Sequence, residues 1–263
     1  MTTLFKQPLQ NKLFIPFITA GDPDPDTTVE IALALQNAGA SAIELGIPYS
    51  DPVADGPVIQ KASSRALANG MNIIQAMELV PKMRKKGLNI PIILFTYYNP
   101  VLQLEKESFF ALLRKNTIDG LLIPDIPFEE SEELRKQCKE HSIAFISLVA
   151  PTSSSRIKMI AEHAEGFIYC VSSLGVTGVR NTFDRSITTF LDEVKKYSKV
   201  PVVVGFGVST REQVEEFCKI CDGVVVGSAL VREIERLQPN LANEHLRKEA
   251  INDFTTYAQT FGA

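Results

Sequence analysis

The chain has 263 residues, 45% of them hydrophobic and 22% charged, with 27 Lys and Arg against 31 Asp and Glu for a net charge of −4. This is the profile of a folded globular protein; it excludes global disorder, and the slight acidity argues against a dedicated nucleic-acid binder. No apolar run approaches the ~18 residues of a membrane span, and the first residues lack the succession of a signal peptide, so a cytoplasmic location is expected.

Eight short apolar runs follow one another along the chain. They begin near Phe14 (FIPFIT), Ser41 (SAIEL), Ile90 (IPIILF), Ile118 (IDGLLIPD), Ile143 (IAFISLV), Phe167 (FIYCV), Val200 (VPVVVG) and Gly223 (GVVVG). Each is too short for a helix and too continuously apolar for a sheet with one wet face, so each reads as a buried strand. Helical patterns lie between them. Thr27-Thr28-Val29-Glu30 carries a capping-box signature opening TTVEIALALQNAG, and Gly39 is its stop. Two further helical patterns, split near Gly70, follow the second strand. EESEELRKQCKEH, DRSITTFLDEVKKY and TREQVEEFCKI start acidic or hydroxylated and end basic, as the helix dipole favours. The tail from Leu241 to Ala263 reads as a last helix.

Strand–helix alternation of this kind predicts right-handed crossovers and parallel strands. Eight units in this length match a closed (β/α)8 TIM barrel, with an open doubly wound sheet as the alternative. No linker or composition break divides the chain, so residues 1–263 read as one domain. The second strand is followed by an unusually long loop, GIPYSDPVADGP. In a barrel, loops at the C-terminal ends of strands build the active site, so extra length there points to function.

Glu44 interrupts the apolar strand SAIELG. Two-residue alternation puts Ala42 and Glu44 on one face and Ile43 and Leu45 on the other. If the larger aliphatic pair faces the helices, Glu44 points into the barrel mouth, where lost solvation raises its pKa toward neutrality and suits it to acid–base work. A strand-end glutamate paired with a basic residue fits the same position. Asp55, on the long loop, reads alone as a turn former before Gly56-Pro57. Its place after the strand bearing Glu44 lets both carboxyls converge on one ligand. Asp22, Asp24 and Asp26 look like turn and cap residues, and Asp125 is a third, weaker candidate.

Gly175-Val176-Thr177-Gly178, Gly205-Phe206-Gly207 and Gly227-Ser228 follow strands six, seven and eight. Barrels bind phosphate there through backbone amides and a helix start, and together the three segments point to a phosphorylated ligand. The segment after strand six, SSLGVTGVRNT, reads as a mobile lid. Cys218 and Cys221 form a lone Cys-x-x-Cys better explained by packing. The three histidines lie apart from every candidate cluster, so no metal site is expected.

These motifs together resemble the tryptophan synthase α-subunit family. The resemblance runs in order over nearly the whole chain, through PFITAGDPD, IELGIPYSDPVADGPVIQ, TYYNPV, LIPDIPFEES, GVTG, GFGV and GSALV. It implies a TIM barrel that cleaves indole-3-glycerol phosphate to indole and glyceraldehyde 3-phosphate without metal or cofactor of its own. Glu44 then matches the general acid–base residue and Asp55 the carboxylate that binds the indole N–H. Phe17, Tyr97, Tyr169 and Phe206 would form the ring pocket, and amides of Gly178, Gly207, Gly227 and Ser228 would hold the phosphate. Thr177 matches the lid hydroxyl that meets the loop aspartate on closure. Phe95, where the family commonly has an aliphatic residue, and Ser173-Leu174 depart from the pattern. The resemblance also implies a partner, the pyridoxal-phosphate β subunit, in an αββα assembly that passes indole internally. Contacts are expected at Pro48 to Asp51, Asn99-Pro100 and near Pro127. A stand-alone lyase, a weakly active regulatory subunit and an unrelated phosphate-binding isomerase are the competing readings.

Overall fold

A computed structural model of the chain describes Leu4 and residues 12–171, 185–205 and 207–262. Its strands are β1 (Leu13–Thr19), β2 (Ile43–Gly46), β3 (Ile92–Phe95), β4 (Gly120–Leu122), β5 (Ala144–Phe145), β6 (Ser147–Val149), β7 (Ile168–Val171), β8 (Val202–Gly205) and β9 (Gly223–Val226). They pair in parallel in the order β5-β4-β3-β2-β1-β9-β8-β7-β6. β5 and β6 are halves of one run. Between them, Ile146 donates its N–H to Leu121 O at 2.9 Å, while the next residue, Ser147, is in register with Ile168. Both ends of the strand order are therefore one piece of chain, and the sheet closes. The eight sequence runs become these strands, the fifth supplying β5 and β6 and the last three β7, β8 and β9. An open doubly wound sheet is excluded by that closure.

Alternation along the strands sorts side chains into two compartments. Ile43, Leu45, Leu94, Val204 and Val224 lie in the shell between strands and helices. Leu13, Ile15, Phe17, Ala42, Ile93, Ile146, Val203 and Val225 fill the barrel interior, joined there by Leu4. Two interior glycines are demanded by their neighbours: a Cβ at Gly46 would overlap the Phe17 ring, and one at Gly205 would overlap Tyr169. Each ring lies across the next strand, which must therefore carry no side chain there.

The helices follow the expected pattern with three adjustments. The first spans Pro25–Asn37 and is capped by Asp24, which accepts the Thr27 N–H at 2.8 Å. Thr27 is thus inside the helix, not its cap, because Pro25 suits the first helical position and the Asp24 carboxylate is the better acceptor. Gly39 ends the helix at φ +91°. The stretch after the long loop forms three helices rather than two, Pro57–Ala68, Ile73–Met77 and Leu79–Lys85, with Gly70 at φ +79° in the first break. The tail is divided: Leu241 ends the helix Ser228–Leu241, and the last helix is Arg247–Gln259. Thr210 and Gln213 form a reciprocal capping box on the helix Arg211–Ile220.

Candidate active site

Glu44 enters the barrel interior from β2, in register with Phe17 of β1 and Ile93 of β3. It is 1% exposed, and its Oε1 has no hydrogen-bond partner among the described residues. Glu44 thus faces the interior as alternation predicts, and no basic residue pairs with the carboxyl among the described residues. Burial alone lifts its pKa to about 8, so it is protonated at neutral pH.

Asp55 stands half-buried on the loop after β2. Burial raises its pKa to about 6, opposed by a hydrogen bond from the Tyr97 hydroxyl. The same hydroxyl accepts the Ala54 N–H at 2.9 Å, so Tyr97 ties down the loop on both sides of that peptide. Tyr97 stacks on Tyr49 with ring centroids 5.1 Å apart, and Asn99 Nδ2 donates to the Tyr49 hydroxyl at 3.0 Å. Asp125 is a local anchor, its Oδ1 accepting the Tyr98 N–H at 2.9 Å.

Tyr169 of β7 joins the two carboxyls. Its phenol is driven well above its ordinary pKa by burial first, then by the negative charge of Glu44 and Asp55. Phe17 meets Phe95 edge to face at 5.3 Å between centroids, so the unusual Phe95 is an interior partner of the expected ring-pocket residue. Gly227 precedes the helix Ser228–Leu241, whose start has no side-chain cap. A Cβ at Gly227 would stand 3.5 Å from Phe17 Cβ and 3.8 Å from Ile59 Cδ1, the latter on the helix that follows Asp55. Uncapped first-turn amides beside an aromatic wall suit an anion attached to a flat apolar group. Gly207, exposed with φ +84°, lies in the turn after β8.

The structure thus gathers Glu44, Asp55, Phe17, Tyr97, Tyr169, Gly227 and Ser228 at the C-terminal end of the barrel. Thr177, Gly178, Phe206 and Ser173-Leu174 lie outside the described residues. Cys221 is buried with its Sγ 3.1 Å from Gly223 O and its thiol pushed up to about 12, as a packing role predicts. Two features went unread in the sequence. Arg65 grips the buried Asp22 through Nε–Oδ1 at 2.8 Å and Nη2–Oδ2 at 3.0 Å, and reaches Glu235 at 3.1 Å. Thr19, ending β1, is 2% exposed, and its Oγ1 lacks a partner among the described residues. GDPD reads as turn chemistry and ITAG as strand end, so neither announces a buried polar contact.

Comparison with known proteins gives one answer. Residues 5–261 match the family described as tryptophan synthase alpha chain. The alpha chain of Bacillus velezensis is 66% identical over 251 residues, covering 95% of each chain. That of Bacillus subtilis is 63% identical over 260 residues, covering 98% of this chain and 97% of the relative. Among solved structures, the tryptophan synthase α2β2 complex of Pyrococcus furiosus contains a chain with TM-score 0.84 and 37% identity, covering 95% of this chain and 97% of that one. The alpha subunit from Legionella pneumophila gives TM-score 0.83 at 33% identity, covering 95% and 92%. Sequence and fold agree, and the chain belongs to the tryptophan synthase alpha chain family.

Proposed function

We propose that this barrel carries out the alpha chain's carbon–carbon lyase reaction through Glu44 and Asp55. The reaction is the retro-aldol cleavage of indole-3-glycerol phosphate to indole and glyceraldehyde 3-phosphate, with indole passed on for tryptophan synthesis. The observation that carries the residue assignment is the unlike state of two carboxyls in one mouth. With values of about 8 and about 6, Glu44 holds its proton in the pH range where Asp55 has released its own.

That pairing fits the chemistry. Indole is a poor carbanion leaving group until its C3 is protonated. Glu44 delivers that proton, and the resulting carboxylate takes the proton of the hydroxyl on the adjoining glycerol carbon. The carbon–carbon bond then breaks, its electron pair returning to the ring as the aldehyde forms. Asp55 accepts the indole N–H and stabilises positive charge on the ring nitrogen, a fixed anion placed where charge develops. Phe17, Tyr97, Tyr169 and Phe206 enclose the ring. The amides of Gly178, Gly207, Gly227 and Ser228 hold the phosphate, and Thr177 meets Asp55 when the lid closes. The whole barrel acts as one domain, and no cofactor of its own enters the reaction.

Its partner in this reading is a β subunit that holds pyridoxal phosphate, in an αββα assembly. Support comes from the mouth's outer edge, where Tyr49 and Asn99 are joined by a hydrogen bond and Val53, on the loop that follows Tyr49, is 84% exposed. The substrate is the small molecule named above, and the reaction belongs in the cytoplasm. Indole release by the purified chain, with and without a β subunit, tests the reading. Glu44→Gln and Asp55→Asn are each expected to slow release by about 10²-fold or more. The parent's kcat/KM should be bell-shaped between limbs near about 6 and about 8. Undiminished turnover by either variant would overturn the assignment.

A further inference from the structure

The Thr19 hydroxyl is an anomaly of the barrel interior. A buried hydroxyl without a partner is destabilising, whereas valine at the same strand position has the same shape and no such cost. Alternation from Leu13, Ile15 and Phe17 places Thr19 on the interior face of β1, while Ile18 and Ala20 face the helices. Its register partner on β2 is Gly46, which contributes no side chain. The only other interior carboxyl or hydroxyl oxygen left without a partner among the described residues of β1 and β2 is Glu44 Oε1.

Strand order gives this hydroxyl a location relative to the ligand. β1 lies between β2 and β9. β2 carries Glu44, and β9 leads directly to Gly227 and the uncapped helix start. The ligand's reacting carbon belongs at the first of these and its phosphate at the second, so the carbon between them passes over the end of β1. Thr19 is there. Phe17, two residues earlier on the same face, already touches the position of Gly227. Glu44 and Thr19 both face the barrel interior and are closed from solvent, at 1% and 2% exposure.

We infer that Thr19 is a substrate-specificity residue: its hydroxyl binds the middle hydroxyl of the glycerol chain, the one that survives in glyceraldehyde 3-phosphate. The inference rests on the reaction proposed above. In that reaction one glycerol hydroxyl gives its proton to Glu44 and the phosphate is held by amides. The middle hydroxyl is left to another group, and on β1 and β2 it is Thr19 that carries a hydroxyl without a partner among the described residues. Thr19 and that hydroxyl satisfy each other, and a ligand lacking the hydroxyl leaves Thr19 without a partner among the described residues.

The test is a cycle of one substitution against one missing atom group. Parent and Thr19→Val are assayed with indole-3-glycerol phosphate and with its analogue lacking the middle hydroxyl. Thr19→Val is expected to lower kcat/KM for the full substrate about tenfold and to leave the analogue unchanged. Thr19→Ser should restore the preference. Thermal stability of Thr19→Val should equal or exceed that of the parent, since an unpaired hydroxyl has been removed. Equal losses on both substrates, or no loss on either, would overturn the inference while leaving the lyase reading in place. Failure of the parent itself to cleave indole-3-glycerol phosphate would overturn both.

Discussion

The two ends of this barrel are built on opposite terms. Toward the N-terminal ends of the strands the interior is aliphatic, with Leu13, Ile15, Ala42 and Leu4 all buried and no polar side chain among them. Toward the C-terminal ends the interior carries Thr19, Glu44 and Tyr169, with Asp55 and Tyr97 above, and two of these residues keep buried oxygens without a partner among the described residues. One end follows the rule that interiors are apolar or satisfied; the other breaks it. The lower half holds the fold together, and the surplus stability it provides lets the upper half hold groups in unfavourable states ready for a ligand.

Substitutions at the two ends should differ in sign as well as size. Ile15→Ala, at a fully buried position low in the barrel, should destabilise by about 2–5 kcal/mol in urea unfolding, while folded molecules keep the parent kcat. A comparable loss of kcat at unchanged stability would show that the lower half is not merely structural. Glu44→Gln should do the reverse. The folded-state value of about 8 lies above the ordinary 4.5, so between them the folded chain keeps a proton that the unfolded chain releases. Stability attributable to Glu44 therefore falls as pH rises through that window. The variant should gain about 2–4 kcal/mol over the parent near pH 8, and the gain should vanish below about pH 4.5. A gain independent of pH would contradict the buried, unpaired carboxyl. Tyr97→Phe should have the smallest effect. It removes a bond that holds Asp55 down, so the acid limb of kcat/KM should move upward from about 6 by less than about one unit. An unmoved limb would show that Tyr97 supports only the Ala54 peptide.

The apolar half was the more legible in sequence. Runs such as VPVVVG and IPIILF state their own burial, and their repetition with helices between them yields the closed barrel. Glu44 was legible for the same reason, as a charge where alternation demands an interior residue. Asp55 was legible only through its place after the Glu44 strand and the family resemblance, because a loop aspartate before Gly-Pro looks like any turn; its relation to Tyr97 exists only once β3 has folded beside β2. Cap positions slipped where two acceptors competed within one turn, as at Asp24 and Thr27. Thr19 was invisible because threonine is an ordinary strand residue, and only the absence of a partner sets it apart. Arg65 and Asp22 are 43 positions apart, and no local pattern joins them.

Their contact bears on ligand length. Arg65 sits on the helix that follows the Asp55 loop, and its two acceptors lie in the turn after β1 and on the helix that begins at Ser228. The guanidinium fork holds Asp22 in a fixed plane and Glu235 at one remaining nitrogen, so these three segments cannot slide independently. Asp55 leads into one of the two helices and Gly227 into the other. The span between the proposed ring-binding carboxylate and the proposed anion cradle is therefore calibrated from behind, by ions outside both. A homologous compound one carbon longer or shorter would have to choose which end to seat.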